Sequence, residues 1–137
     1  MKIVVTTDFA ACLAIRRKVF VEEQSVPEDL ECDAADATAV HLLATLDGRP
    51  VGTARLLIDG PEGKIGRVAI LPDCRGTGAG AALMRAALDE LRARGVTTAR
   101  LGAQTHALGF YEKLGFTAYG PIYDDAGIPH RDMSRPL

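Results

Sequence analysis

The sequence predicts an α/β fold: a single domain, residues 1–137, built on one mixed sheet. Three observations carry this prediction. Apolar, β-branched segments at 40–46, 51–58 and 64–71 follow one another as a meander, separated by Asp47-Gly48-Arg49-Pro50 and Asp59-Gly60-Pro61-Glu62-Gly63. Asp-Gly and Gly-Pro pairs favour tight turns between antiparallel strands. The third segment then runs into a glycine-rich turn, the longest helical pattern of the chain and another strand, a crossover that makes its two strands parallel. Finally, a chain of 137 residues suits one domain and leaves no room for two.

The elements are read in order as follows. Lys2 to Thr6 is a short β-branched run and predicts a first strand. Asp8 is placed to cap a helix running to about Glu23, where Leu13, Arg17, Phe20 and Val21 give a mixed rather than clean periodicity. Residues 27–36 are acidic and irregular, with room for one short helical turn. The three meander strands follow. A helix over 76–94 carries Leu83, Ala87 and Leu91 as an apolar stripe, with Glu90 and Arg94 able to pair and Gly95 as its stop. Residues 96–104 predict a strand and 107–114 a short helix ending at Gly115. Residues 116–120 and 130–134 predict a closing hairpin across a long loop rich in Gly, Pro and Asp.

Composition narrows the function. With 47% hydrophobic and 25% charged residues the chain reads as an ordinary globular domain. A net charge near −2, with no basic run beyond Arg16-Arg17-Lys18, argues against a nucleic-acid partner. Cys12, Cys32 and Cys74 are odd in number and widely spaced, which suggests neither a disulfide framework nor a zinc site. Three free thiols fit a reducing, cytoplasmic setting, with Cys12 and Cys32 as buried filler. The first residues are too polar for a signal peptide, and no apolar run approaches about 18 residues, so no membrane partner is expected. The three histidines lack metal spacing with cysteine or carboxylate, so no metal is expected.

The chemistry concentrates around Leu71-Pro72-Asp73-Cys74-Arg75-Gly76-Thr77-Gly78-Ala79-Gly80. A strand ends at a proline, and glycines open a helix whose first N–H groups have no internal partner. Such an end binds anions, and Arg75 adds a fork-shaped donor. A phosphorylated cofactor follows as the first hypothesis; an empty glycine-rich turn is the plainer alternative. Two familiar phosphate motifs fail. Ile58 and Ile65 stand where a nucleotide P-loop around Gly63-Lys64 needs glycine and Ser/Thr, and Ala81 stands where the dinucleotide fingerprint needs its third glycine. The second informative stretch is Phe110-Tyr111-Glu112-Lys113-Leu114-Gly115-Phe116, a short amphipathic helix whose Tyr111 lies one face over from Phe110.

Arg75-x-x-Gly78-x-Gly80, followed about thirty residues later by the Phe110–Phe116 stretch, resembles the GNAT-type N-acetyltransferases, and the order of elements agrees along nearly the whole chain. The segments Arg17-Lys18-Val19-Phe20-Val21-Glu22-Glu23-Gln24 and Gly127-Ile128-Pro129-His130 further resemble the small bacterial ElaA-like branch. The resemblance implies acetyl-coenzyme A as donor. Backbone amides of Arg75, Gly76, Thr77, Gly78, Ala79 and Gly80 would hold the pyrophosphate. Val68, Ala69 and Ile70 would pair through their backbone with the pantetheine arm, in a gap where the 64–71 and 96–104 strands splay apart. Phe110 joins the cofactor-binding set, as does Gln104 at a position where the family often has Asn. Tyr111 matches the tyrosine proposed to protonate the departing thiolate. Small members of the family are often dimers, so a homodimer is an open expectation.

Direct transfer to an amine also needs an acceptor for the amine's proton. Glu22, Glu31, Asp33, His41, His106 and His130 are the candidates, with Glu31 and His130 preferred. The Ile70 N–H is placed to polarise the thioester carbonyl. Cys74, just before a helix start, leaves an acetyl-cysteine route conceivable. The acceptor is read only as a small-molecule or peptide amine. Two rival readings remain at this level: a non-catalytic acyl-coenzyme A sensing domain that does not depend on Tyr111, and a structural protein that pairs through a sheet edge.

Overall fold

The computed structural model describes residues 1–137. Strand β1 (Lys2–Thr6) leads to helix α1 (Phe9–Arg16), whose start is fixed by Asp8, its side chain accepting the Ala11 N–H at 3.1 Å. The expected single helix to Glu23 changes character halfway. From Arg17 to Glu23 it widens into a π-helix, which explains the mixed periodicity of its apolar residues. A short helix α2 (Glu28–Glu31) and a 3-10 turn (Ala34–Ala37) precede the meander β2 (Val40–Leu46), β3 (Arg49–Asp59) and β4 (Glu62–Ile70). Asp47 and Gly48 between β2 and β3 both adopt positive φ, 51° and 78°, the pattern that tight hairpins demand.

Helix α3 (Ala79–Ala93), strand β5 (Thr98–Gln104), helix α4 (Leu108–Glu112) and strands β6 (Thr117–Asp125) and β7 (Ile128–Pro136) complete the chain. Helix α3 starts three residues later than the sequence suggests, because Gly76 and Gly78 take φ of 76° and 83° and cannot belong to a right-handed helix. The Glu90–Arg94 pair forms at 2.8 Å, and Gly95 closes the helix at φ 80°. The long final loop is a correction: β6 and β7 extend almost to each other and turn through Ala126-Gly127. Pro121 is tolerated because β6 is an edge strand and its register slips between Tyr119 and Tyr123.

All seven strands form one sheet, ordered β1-β2-β3-β4-β5-β7-β6, antiparallel except between β4 and β5. Leu83, Met84, Ala87, Leu88 and Leu91 of α3 cover one face, meeting Leu56, Ile65, Leu101 and Met133. Gly63 allows this contact, since a Cβ there would lie 2.6 Å from Leu91 Cδ2. On the opposite face Cys12, Ile15 and Val19 pack on Leu43, Ala69 and Leu71. Cys74 is buried with Cys12, but Cys32 is exposed, contrary to its expected burial.

The acidic segment 27–36 is not a solvated loop. Its carboxylates hold it down on three arginines of α1, β3 and β4. Arg16, 1% exposed, binds Glu31 and grips both Asp36 oxygens at 2.8 and 3.0 Å. Arg55 binds Asp33 at 2.6 and 2.9 Å and Asp36 at 3.0 Å. Arg67 donates to the Glu31 and Leu30 carbonyls and to Asp33. Burial alone would raise the Asp36 pKa, but hydrogen bonds from Arg16 and Arg55 outweigh it and hold the carboxyl far below the usual range. Asp33 is also lowered, chiefly by Arg55.

Asp36→Ala would remove the carboxylate shared by two buried guanidinium groups and should lower the unfolding free energy by about 3 kcal/mol, read from urea titrations. Because the folded-state pKa values of Asp33 and Asp36 are depressed, their stabilisation is complete above about pH 4 and is lost as pH falls through those lowered values. Below about pH 4 the wild type should therefore lose stability more steeply than Asp36→Ala.

Candidate active site

The site begins where two strands part. β4 and β5 pair only at Glu62–Thr98, Gly63–Ala99 and Lys64–Arg100. Beyond that rung β5 bonds only β7, and β4 only β3. A bulge opposite Arg55, with Arg67 at φ 50°, re-aims β4 within the opening. The Leu71 N–H goes to Val51 of β3 at 2.9 Å, so strand alternation turns the Ile70 backbone groups toward the gap. Val68, Ala69 and Ile70 all lie in this parted stretch.

At the end of β4 the chain presents a run of free donors. The N–H groups of Gly76, Thr77, Gly78, Ala79, Gly80 and Ala81 donate to no backbone or side-chain acceptor, and the first helical bond is Ala82 N–H to Gly78 O at 3.0 Å. Six consecutive unpartnered amides at the start of a 15-residue helix are the donor arrangement that favours anions. The Arg75 amide is different: it bonds Pro72 O. Its guanidinium, expected to face an anion, is held by Glu23 at 2.5 and 2.7 Å and by Ile70 O at 3.1 Å. Gly80 also differs from expectation. Its φ is ordinary, and the Phe110 ring lies over it, so that a Cβ there would meet Cζ at 3.4 Å, an ordinary contact.

Phe110 thereby docks α4 against the first turn of α3, and Tyr111 comes with it. The Tyr111 ring meets Phe110 and Phe116 edge-on, with centroids at 5.0 and 6.2 Å. It packs against the main core, and its hydroxyl makes no hydrogen bond. Burial pushes its pKa up to about 12.

Opposite α3 lies the second face of the opening. Ala99, Leu101 and Ala103 of β5 point into the main core, so Arg100, Gly102 and Gln104 point to the α1 side. Gln104 donates to Gln24 at 2.9 Å and accepts from His106 at 2.6 Å. Glu23 and Gln24, at the end of the π-helix, thus tie one side of the opening through Arg75 and the other through Gln104. His130 pairs with Gln104 in register; its Nδ1–H donates to Ile128 O at 2.7 Å, leaving Nε2 as the acceptor in the neutral ring.

Glu31, the other expected base, needs correction. It is 3% exposed and bound to Arg16, with Arg67 3.9 Å away. Its carboxylate is committed to the buried Arg16, so its place is in anchoring the acidic segment. Asp33 is in the same network. His41 donates to Asp36 O at 3.0 Å and lies against Phe9, a structural position. No group of three His, Cys, Asp or Glu side chains gathers as a metal site, and no helix is long and apolar enough to cross a membrane.

Sequence reasoning missed Glu23, Gln24, Tyr123 and Asp132. Alternation could have found Asp132, which shares a strand face with His130. Nothing local announces Tyr123, because a register slip in β6 decides where it points.

The chain matches the Acetyltransferase (GNAT) domain family over residues 6–137. It is 33% identical to protein ElaA of Escherichia coli (strain K12) over 132 residues, covering 93% of this chain and 86% of that protein. The crystal structure of E. coli ElaA superposes with a TM-score of 0.84, covering 96% of this chain and 92% of that one. An acyl-CoA N-acyltransferase from Pseudomonas aeruginosa gives 0.86 at 34% identity, covering 98% and 97%. An aminoglycoside 6'-N-acetyltransferase complexed with coenzyme A shares the fold alone, at 15% identity and a TM-score of 0.79 over 99% and 97% of the two chains.

The unbonded hydroxyl of the largely packed Tyr111 side chain makes a direct prediction. In ring-labelled tyrosine NMR its signal should stay that of the phenol through pH 11 and titrate near 12. Titration near the ordinary value of about 10 would show a solvated hydroxyl.

Proposed function

This chain belongs to the GNAT acetyltransferase family, and on that premise we propose that it transfers acetyl from acetyl-coenzyme A to a primary amine by direct attack, with Tyr111 as general acid. The observation that carries the reading is the run of six unpartnered amides, Gly76 to Ala81, at the end of a strand that has lost its parallel neighbour. Together they offer an anion cradle and, beside it, a strand edge whose backbone groups want partners.

The roles follow from these positions. The amides of Gly76, Thr77, Gly78, Ala79 and Gly80 bind the pyrophosphate of the donor. The backbone of Val68, Ala69 and Ile70 takes up the pantetheine arm as an added strand, and the Ile70 N–H polarises the thioester carbonyl. Phe110 and Gln104 line the two sides of the arm. Tyr111 gives its hydroxyl proton to the departing thiolate, a role in which a pKa below about 12 would serve it better. The amine has to arrive neutral. For a lysine-like amine at pH 7, losing the proton costs about 4–5 kcal/mol, which calls for an acceptor such as His130.

Two substitutions test the two halves. Gly78→Val forces a branched side chain into φ 83° and re-aims the amides, so coenzyme A affinity measured by calorimetry should fall roughly tenfold or more. Gly80→Ala, at ordinary φ, should bind nearly as the wild type does. Tyr111→Phe keeps the ring and removes the proton; kcat measured by thiol release should fall roughly 10²-fold with little change in coenzyme A affinity. Wild-type turnover in the Phe variant would remove Tyr111 from the chemistry; coenzyme A binding with no turnover in the wild type would favour a sensing domain.

A further inference from the structure

Resting on the acetyltransferase reading, we infer that Tyr123, His130 and Asp132 form the subsite that receives the acceptor's ammonium group, so that the acceptor is an alkylammonium entering from the α1 side over Gly102. Tyr123 springs from the edge strand β6, yet its hydroxyl reaches across β7 to β5. A Cβ on Gly102 would lie 2.5 Å from that hydroxyl. Gly102 stands two residues beyond Arg100, the last β5 residue paired with β4. The side chain is therefore carried to the rim of the parted strands, and only a residue without a side chain on β5 lets it arrive.

The chemistry at that rim suits a cation. Tyr123 donates to Asp132 Oδ1 at 2.8 Å, while Asp132 Oδ2 takes no protein donor. The Tyr123 ring stacks on His130 at 5.9 Å and 25°, and remains 37% exposed. An ammonium group here meets a carboxylate oxygen, an aromatic face and, at Nε2 of His130, a further acceptor.

Elimination points the same way. Five carboxylates around the opening are committed to arginines, Glu31 and Asp36 to Arg16, Asp33 to Arg55, Glu23 to Arg75 and Glu62 to Arg100, whereas Asp59 and Asp125 are not but make no hydrogen bond with the Tyr123–Asp132 pair. Asp132 makes no ion pair, and its side-chain partner is a neutral phenol. Arg131 next to it is turned to Gly120 O, and Arg100 on the same face is spent on Glu62 and Tyr119. Lys64 and Arg100 line the same pocket as Asp132, but neither pairs with it, so the Asp132 carboxylate has no ion-pair partner of its own.

The test uses the full chain saturated with coenzyme A, with ring-labelled tyrosines, and butylammonium as the probe against butanol as its neutral control. Calorimetry first measures coenzyme A binding; failure there removes the acetyltransferase reading and this inference with it. With coenzyme A bound, the Tyr123 ring signals should shift saturably with butylammonium and not with butanol. Asp132→Asn should weaken that binding roughly tenfold. Gly102→Ala, which displaces the Tyr123 hydroxyl, should weaken it comparably. The Tyr111 signal should stay in place in both variants, reporting an intact fold. Silent Tyr123 signals, an equal response to butanol, or unchanged affinity in Asp132→Asn overturns the assignment while leaving the coenzyme A reading intact.

Discussion

The parallel ladder between β4 and β5 ends after three rungs, and the rest of the molecule is arranged around that ending. A strand cannot leave its backbone groups buried and unpaired without a cost of order 1–3 kcal/mol for each. β5 avoids the cost by pairing with β7 along its whole length, and β4 by pairing with β3. Each strand keeps one satisfied edge, and the two edges that face one another across the gap are left for a ligand. Every functional group discussed above lies around that gap: the amides of residues 76–81 at its end, Tyr111 on the α3 side, and Gln104, His130, Tyr123 and Asp132 on the other.

The charge network beneath α1 maintains this geometry from the other face. Three arginines, one each from α1, β3 and β4, are neutralised by three carboxylates of a single short segment. Separately, each buried guanidinium would be intolerable; together the six groups fix segment 27–36 over the β4 bulge. Arg67 adds backbone carbonyls of Leu30 and Glu31 to its bonds, so the bulge and the segment above it are held as one unit. One consequence is functional. The acids that look most available in the sequence are the ones the fold consumes.

The two sides of the opening are bridged by the end of the π-helix. Glu23 binds Arg75 on the loop that carries the anion site, while Gln24 binds Gln104 at the end of β5. The two contacts sit at the end of the π-helix, and such irregular turns tend to occur at functional sites. Arg75 accordingly serves as a tie between elements, and the anion site rests on backbone amides.

The sequence by itself determined the order of elements, the meander turns, the glycine-opened helix after β4 and the placing of Tyr111 on a short helix, because each rests on local rules: left-handed turns need Gly or Asp, helices need caps, and apolar periodicity marks the covered face. Asp8 and Gly95 do what their residue types suggest. The same local reading failed where the outcome depends on residues far apart in the chain. Glu31 looks like a free base until Arg16 and Arg67 are brought to it. Arg75 looks like a phosphate ligand until Glu23 arrives from 52 residues away. The closing loop looks irregular until β7 offers it an edge on which even Pro121 can sit. Tyr123 reaches Asp132 and Gly102 only because the register slip in β6 and the bare backbone at Gly102 carry it across β7. Charge pairing, strand register and the space left by a missing side chain are properties of the assembled sheet, and only the tertiary structure could decide them.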